Sequence, residues 1–198
     1  MQNTIPENSL STKYLIQLHY IYSISLLLLI AFILSAALYL QFVYNEIPCP
    51  LCLLQRVAYL GIGFSIMLNL RNNYSLRHDG LMLLVTVILL IISTRQTLLD
   101  IYPRPGHEYI GTAILGLHMP VWSIIISVLL FSIYALKFCI FGYIKDLENI
   151  SLASFPILKF SAVVVMWFII ALCSVNLVSS YIQCGLQSCH TTGYRLLE

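Results

Sequence analysis

The sequence predicts an all-α integral membrane protein: a four-helix transmembrane bundle plus a fifth C-terminal transmembrane helix. Three observations predict it. Only 10 Lys and Arg and 8 Asp and Glu occur in 198 residues, so charged residues make up 9%, against roughly 25% in an average soluble domain. Hydrophobic residues make up 60%, and the mean hydropathy is +0.89. The apolar residues also run on continuously, in blocks long enough for helical spans, and do not alternate as barrel strands do. So few charges cannot solvate a globule of 22.5 kDa, and so apolar a chain is not a disordered one. Gly 9, Pro 7 and Cys 6 exclude collagen-like, mucin-like and disulfide-knotted secreted classes. A net charge of +2, scattered along the chain, gives no footprint for nucleic acid.

A span needs about 20 mostly apolar residues, and five segments supply them. The first runs from about Ile21 to Tyr44, with its dense core from Leu26 to Leu40. It is too long and too late for a cleavable signal peptide. The second runs from Leu51 to Leu70, the third from Gly80 to about Leu99, the fourth from Pro120 to about Phe141, and the fifth from Phe155 to Ile182. No internal repeat is visible. Five spans put the two ends of the chain on opposite faces. Lys13, Arg71, Arg77, Lys137, Lys145 and Lys159 fall on one side, six in all, and Arg56, Arg95, Arg104 and Arg195 on the other. That bias favours a cytoplasmic N-terminus and an extracytoplasmic C-terminus. Sequons at Asn73 and Asn149 then fall on the cytoplasmic side and read as chance.

The first connection is short, Asn45 to Cys52. The third opens with Tyr102-Pro103-Arg104-Pro105-Gly106, too rich in breakers to continue a helix. It ends in Ile114-Leu115-Gly116-Leu117-His118-Met119-Pro120-Val121-Trp122. A short amphipathic stretch at the membrane interface is expected there, with Trp122 as a belt residue.

Topology sorts the six cysteines. Cys49, Cys52, Cys184 and Cys189 fall on the extracytoplasmic side, where disulfides form and persist. Cys139 and Cys173 fall within spans and are expected to be small buried hydrophobes. Cys49-Pro50-Leu51-Cys52 is a C-x-x-C at the mouth of a helix, a small ring that is readily reduced and re-formed. Cys52 lies in the first helical turn, where unpaired N–H groups and the helix dipole stabilise a thiolate. Arg56 follows on the same face. A permanent cation is expensive to hold near a membrane boundary, and it stabilises a thiolate and donates to oxygen-bearing ligands. Two other readings stand beside redox chemistry: a plain disulfide tethering a helix end, and half of a zinc site completed by Cys184, Cys189 and His190.

Cys49-Pro50-Leu51-Cys52-Leu53-Leu54-Gln55-Arg56 resembles the first periplasmic loop and second helix of the bacterial disulfide bond formation protein B (DsbB) family. The likeness continues at Tyr102-Pro103-Arg104-Pro105 and at Gly116-Leu117-His118-Met119-Pro120-Val121-Trp122, and covers about residues 20 to 142. It implies a four-helix bundle (1–142 here) in the bacterial inner membrane, with ubiquinone or menaquinone held near the periplasmic face. It also implies a reaction in which a reduced thioredoxin-fold, DsbA-like partner passes two electrons through the C-x-x-C to the quinone. By position, Cys52 faces the quinone, Cys49 exchanges disulfides with a second cysteine pair, and Arg56 sits against the quinone ring.

The sequence departs from that family twice. Its third connection carries no cysteine between Pro105 and Gly116, where the family has its second pair. A further segment, 143–198, adds a cytoplasmic connection, the fifth span and the tail Gln183-Cys184-Gly185-Leu186-Gln187-Ser188-Cys189-His190. The expectation is that Cys184 and Cys189 replace the missing pair as a shuttle. Gln96 and Arg95, at the outer end of span three, are candidates to help line the quinone site, although an Arg there more often snorkels to headgroups. His118 and His107 read as loop residues. Competing readings are a dedicated DsbI-like oxidase using only the C-x-x-C, and a non-enzymatic membrane protein binding metal through its cysteines. A transport path would need polar residues at mid-membrane depth, and few are present beyond Asn176. An epoxide-reductase-like quinone enzyme would carry its C-x-x-C late in the bundle.

Overall fold

The computed structural model describes residues 9–72, 74–102, 113, 115–141, 152–185 and 189. Five long helices dominate: α1 (Ser9–Val43), α2 (Pro50–Arg71), α3 (Leu76–Ile101), α4 (Met119–Phe141) and α5 (Pro156–Cys184). A 3-10 turn at Leu152–Ser154 leads into α5. All five are long and apolar enough to cross a membrane, since at about 1.5 Å per residue each exceeds roughly 30 Å of hydrocarbon. The chain is a multi-pass membrane protein of all-α architecture. Arg104, His107, Lys145, His190, Arg195 and the sequon asparagines Asn73 and Asn149 lie outside the described residues.

The ends of α2 to α5 fall close to the expected span limits, whereas α1 starts at Ser9, well ahead of Ile21. Hydropathy finds the part of a helix that lipid surrounds. The extra turns of α1 hold Ile16 and Tyr20, both buried, so the helix continues as long as it has a face to pack. Lys137 lies in the last two turns of α4.

Packing in lipid gains little from the hydrophobic effect between helices, so close fit and polar contacts decide it. In chain order around the bundle, α5 packs on α1, α1 on α2, α2 on α3 and α3 on α4, and α5 also reaches α2. The buried residues of α3 are Asp79, Met82, Thr86, Leu89, Ser93 and Gln96. Those of α5 include Ala162, Val165, Ile169, Leu172, Asn176, Ser179 and Gln183. Both sets step by three and four alternately, the seam of a left-handed helix pair. The middle helix, α2, is buried on two sides. Gly61 brings it close to α3: an added Cβ there would lie 3.1 Å from Val85 Cγ1.

Large apolar side chains such as Phe32, Trp167 and Leu177, each at least 68% exposed, form the lipid-facing surface. Cys139 and Cys173 are exposed there too, which corrects the expectation of buried packing residues. A small apolar side chain costs nothing against lipid, so a cysteine off the seam has no need of the interior.

At the end of the bundle holding the α2–α3 turn, a polar cluster closes on itself. Asp79 is buried and accepts from Lys137 Nζ at 2.9 Å and from Asn69 Nδ2 at 2.7 Å. Asn69 Oδ1 takes the Ser75 N–H and the His78 ring nitrogen, each at 2.9 Å. The Lys137 ammonium lies 4.8 Å from the Tyr74 ring centre and 5.0 Å from that of Tyr134, within cation–π range.

At the opposite end α4 follows a turn at Leu115–Gly116. Leu115 has φ +54° and Gly116 φ +79°, so the chain makes a left-handed turn within the stretch expected at the interface. Gly116 takes this conformation without a Cβ penalty, and Leu115 does not. Trp122 lies in the first turn of α4, half-buried, and lines a cavity between α1 and α4.

Candidate active site

Between α1 and α4, at the end opposite Asp79, the helices line a cavity of about 460 Å³ that opens to the outer surface beside Phe32. Most of its wall is apolar, from Leu29, Phe32 and Ile33 of α1 to Met119 and Ile126 of α4. Its polar wall is Cys52, Arg56, Gln41, Gln55, Gln96 and Ser123, with Glu46 at the connection. Such a cavity, largely apolar with a few convergent polar groups, is the usual form of a small-molecule site.

The two C-x-x-C cysteines are joined as a disulfide. Cys49 is the N-cap of α2 and Pro50 occupies the first helical position, where a missing N–H costs nothing. Cys49 Sγ accepts from the Cys52 N–H at 3.0 Å. Gln96 Nε2 lies 3.3 Å from both sulfurs. Gln96 Oε1 accepts from Gln55 Nε2 at 2.9 Å, Gln55 Oε1 accepts from Ser123 Oγ at 3.3 Å, and Ser123 Oγ accepts from Tyr59 at 3.1 Å. Donation thus runs one way along this chain, from the Tyr59 hydroxyl to the sulfurs. Aligned bonds of this kind polarise one another. When the disulfide opens, an amide N–H already waits where negative charge appears.

Arg56 is buried one turn further along α2. Its Nη1 donates to Gln41 Oε1 at 2.6 Å and to Asn176 Oδ1 at 3.4 Å, and its Nη2 to the Ala37 carbonyl at 3.0 Å. Gln41 Nε2 donates in turn to Ser179 Oγ at 2.6 Å, and Asn176 Nδ2 to the Leu172 carbonyl at 2.9 Å. Three helices, α1, α2 and α5, therefore meet at one guanidinium. A further contact from α5 reaches the cysteine loop itself, where Gln183 Nε2 donates to the Pro48 carbonyl at 2.7 Å.

Cys184 and Cys189 form the second disulfide, at the same end of the bundle. Cys184 is buried and Cys189 half-buried. Gly185 between them has φ +60° and ψ −138°, a backbone region open in practice to glycine alone. It turns the chain out of α5 while its N–H still caps the Tyr181 carbonyl at 2.8 Å. Among the described residues no group of three or more His, Cys, Asp or Glu converges.

The structure thus gathers Cys52, Arg56 and Gln96 at one cavity, with Cys49 joined to Cys52, and ties Gln183, the residue before Cys184, to Pro48 of the cavity wall. It does not gather Arg95. That side chain is exposed on the outer face of α3, in a separate groove with Ile91, Thr94, Leu98 and Tyr102. The reason is the α3 seam. Stepping by three and four from Asp79 reaches Gln96, and Arg95 falls off that stripe. Sequence reasoning gave no role to Gln41, Gln55, Ser123, Ser179 or Gln183. A signal for the α5 residues was present, since Asn176, Ser179 and Gln183 lie on one helical face of an otherwise apolar span.

The family model for disulfide bond formation protein DsbB matches residues 21–108, which holds α1 to α3 and the C-x-x-C. The chain is 30% identical to a disulfide bond formation protein B of Cupriavidus metallidurans over 120 residues, covering 46% of this chain and 74% of that one. It is 30% identical to one of Chromohalobacter salexigens over 115 residues, covering 52% of this chain and 64% of the relative. A shorter stretch of 31 residues is 58% identical to the Burkholderia ambifaria protein of the same name, covering 16% of this chain and 18% of that one. No solved structure matches. The likeness to the first relative, across nearly three-quarters of its length and with the paired cysteines at the head of the second helix, places this chain in the disulfide bond formation protein B family.

Proposed function

We propose that this chain is a quinone-linked thiol:disulfide oxidoreductase that re-oxidises a DsbA-like, thioredoxin-fold partner on the periplasmic side of the bacterial inner membrane. The observation that carries this reading is the placement of Cys52 and Arg56 on the wall of one largely apolar cavity. The lining suits ubiquinone or menaquinone. Arg56 and the glutamine amides offer donors for ring carbonyls, and the α1 wall offers apolar surface for an isoprenoid tail. When bound, the quinone supplies a two-electron, two-proton acceptor, which no side chain provides.

The chain's own residues do the rest. In the proposed route the partner's dithiol reduces the Cys184–Cys189 disulfide. One disulfide breaks and one forms in the partner, and two electrons and two protons pass to the tail. The tail dithiol then reduces Cys49–Cys52 in the same way. Cys52 departs as a thiolate at the start of α2, where free N–H groups and the Gln96 amide stabilise it. A stabilised thiolate is a good leaving group. Arg56, fixed by Gln41, Asn176 and the Ala37 carbonyl, stabilises negative charge within the cavity without having to reorganise.

The test uses purified protein, a reduced DsbA-like partner and a soluble ubiquinone or menaquinone analogue, with quinone absorbance followed over time. Wild type should reduce quinone and Cys52→Ser should not. Failure of wild type with both quinones defeats the enzyme reading. Cys184→Ser with Cys189→Ser tests the shuttle separately. Partner oxidation at the wild-type rate in that double variant would remove the tail from the route and favour an oxidase that uses only the C-x-x-C.

A further inference from the structure

The hydrogen bond from Gln183 to Pro48 ties the two disulfides together. Cys184 follows Gln183 directly, and Cys49 follows Pro48 directly. The Pro48 carbonyl and the Cα of Cys49 belong to one planar peptide unit. Holding that oxygen at 2.7 Å therefore locates the Cys49 backbone. Without such a hold the loop would have more freedom, because residues 45–49 have no regular secondary structure. On the other side of the bond, Gln183 is buried in the last turn of α5 and ends the seam that docks this helix.

Burial divides each pair in the same way, into one buried and one half-buried cysteine. Cys184 and Cys49, on either side of the Gln183–Pro48 bond, are each 8% exposed, whereas Cys189 and Cys52 are half-buried, Cys52 on the cavity wall. A soluble protein reaches Cys189 more readily than Cys184. The cysteine next to the Gln183–Pro48 bond is the shielded one.

We propose that Gln183 is a positioning residue for an internal disulfide relay, holding Cys49 beside Cys184 so that electrons pass Cys189, Cys184, Cys49, Cys52. This rests on the shuttle reading above. The partner's thiolate attacks Cys189, and Cys184 leaves. The partner's second thiol then releases Cys189 and closes the partner's own disulfide. The Cys184 thiolate attacks Cys49: a Cys184–Cys49 bond forms, the Cys49–Cys52 bond breaks, and Cys52 takes the electron pair. Cys189 next attacks Cys184, re-forming the tail disulfide and releasing Cys49, which takes up a proton. The tail has lost two electrons and the C-x-x-C has gained them. Neither step needs an oxidant beyond the disulfides present.

The experiment links Cys49 to Cys184 directly. In full-length protein in lipid nanodiscs, Cys52→Ser and Cys189→Ser leave those two as the only relay cysteines. Mild oxidation with diamide should join them within minutes, read by mass after alkylation of free thiols. Adding Gln183→Met, which keeps side-chain length but removes the donor, should slow joining at least tenfold. Gln183→Glu serves as the second variant if the Met variant fails to insert. In the all-cysteine protein, Gln183→Met should lower kcat for partner oxidation while leaving KM for the partner unchanged, because docking at Cys189 does not involve Gln183. Joining that fails with Gln183 intact, or that is equally fast without it, overturns the inference. Normal partner oxidation in the Cys184→Ser, Cys189→Ser variant instead defeats the shuttle reading, whatever Gln183 does to joining.

Discussion

Asp79 and Arg56 are both buried charges in a membrane bundle, one near each end of it, and they are held differently. Asp79 meets an opposite charge, Lys137, at 2.9 Å, with Asn69 on its other oxygen and aromatic rings over the ammonium. Arg56 is held by the neutral oxygens of Gln41, Asn176 and Ala37 and borders a cavity of about 460 Å³. The first arrangement uses its charge to join α2, α3 and α4. The second fixes a charge in place while keeping open space beside it. The difference separates a closed fastening from a charge left beside open space, and it lies in what surrounds each charge, not in the charge itself.

The largest effect should come from Cys52→Ser. Quinone reduction should fall to background while the protein still purifies as a folded bundle, because Cys52 is only half-buried and serine fits its place. Residual turnover at a wild-type rate would mean that the cavity is not where electrons leave. Arg56→Met should come next, with about a 100-fold loss of kcat/KM for quinone, in the range seen when a preorganised charge donor is removed. Arg56→Lys should restore little, since one ammonium cannot reproduce the fork that reaches Gln41, Asn176 and Ala37 together.

At the other end the expected readout is stability. Asp79→Asn leaves Lys137 without its carboxylate and should cost about 3 kcal/mol, measured as a lower thermal midpoint in detergent. Combining it with Lys137→Met should recover much of that loss. Quinone reduction per folded molecule should not change in either case. A fall in turnover there would join the two ends functionally and break the contrast. The smallest effect should be Ser179→Ala, which removes a single interhelical bond to Gln41. Such bonds average roughly 0.6 kcal/mol in membranes, so quinone affinity should weaken by no more than a few-fold.

Much of this was legible in the sequence because the signals are local. Cys49, Cys52 and Arg56 lie within one short motif, and the start of the helix that carries Cys52 is announced by Pro50. Five spans follow from apolar runs alone. The choice between Arg95 and Gln96 was also within reach, since only Gln96 continues the three-four stripe of α3 from Asp79. What the sequence withheld was partnership across long separations. Gln41 and Ser179 are 138 residues apart, and Gln183 and Pro48 are 135 apart. Nothing in either local pattern names the other. Lys137 looked like an orientation signal because counting charges near span ends does not ask whether an Asp79 waits on the neighbouring helix. Cys139 and Cys173 looked like core residues because burial statistics come from proteins whose exterior is water.

The pairing of α1 with α5 sets an order of assembly. On a ribosome adding about 5–20 residues per second, the 138 residues between Gln41 and Ser179 take roughly 7 to 28 s to synthesise. During that interval α1 and α2 are already made, but Arg56 lacks Asn176 and Gln41 lacks Ser179. The hydrogen-bond network around Arg56 is therefore completed only by the insertion of the fifth helix. Ribosome stalling before residue 176, or slow insertion of α5, leaves a bundle with its cysteine motif in place and its arginine held by α1 alone, through Gln41 and Ala37.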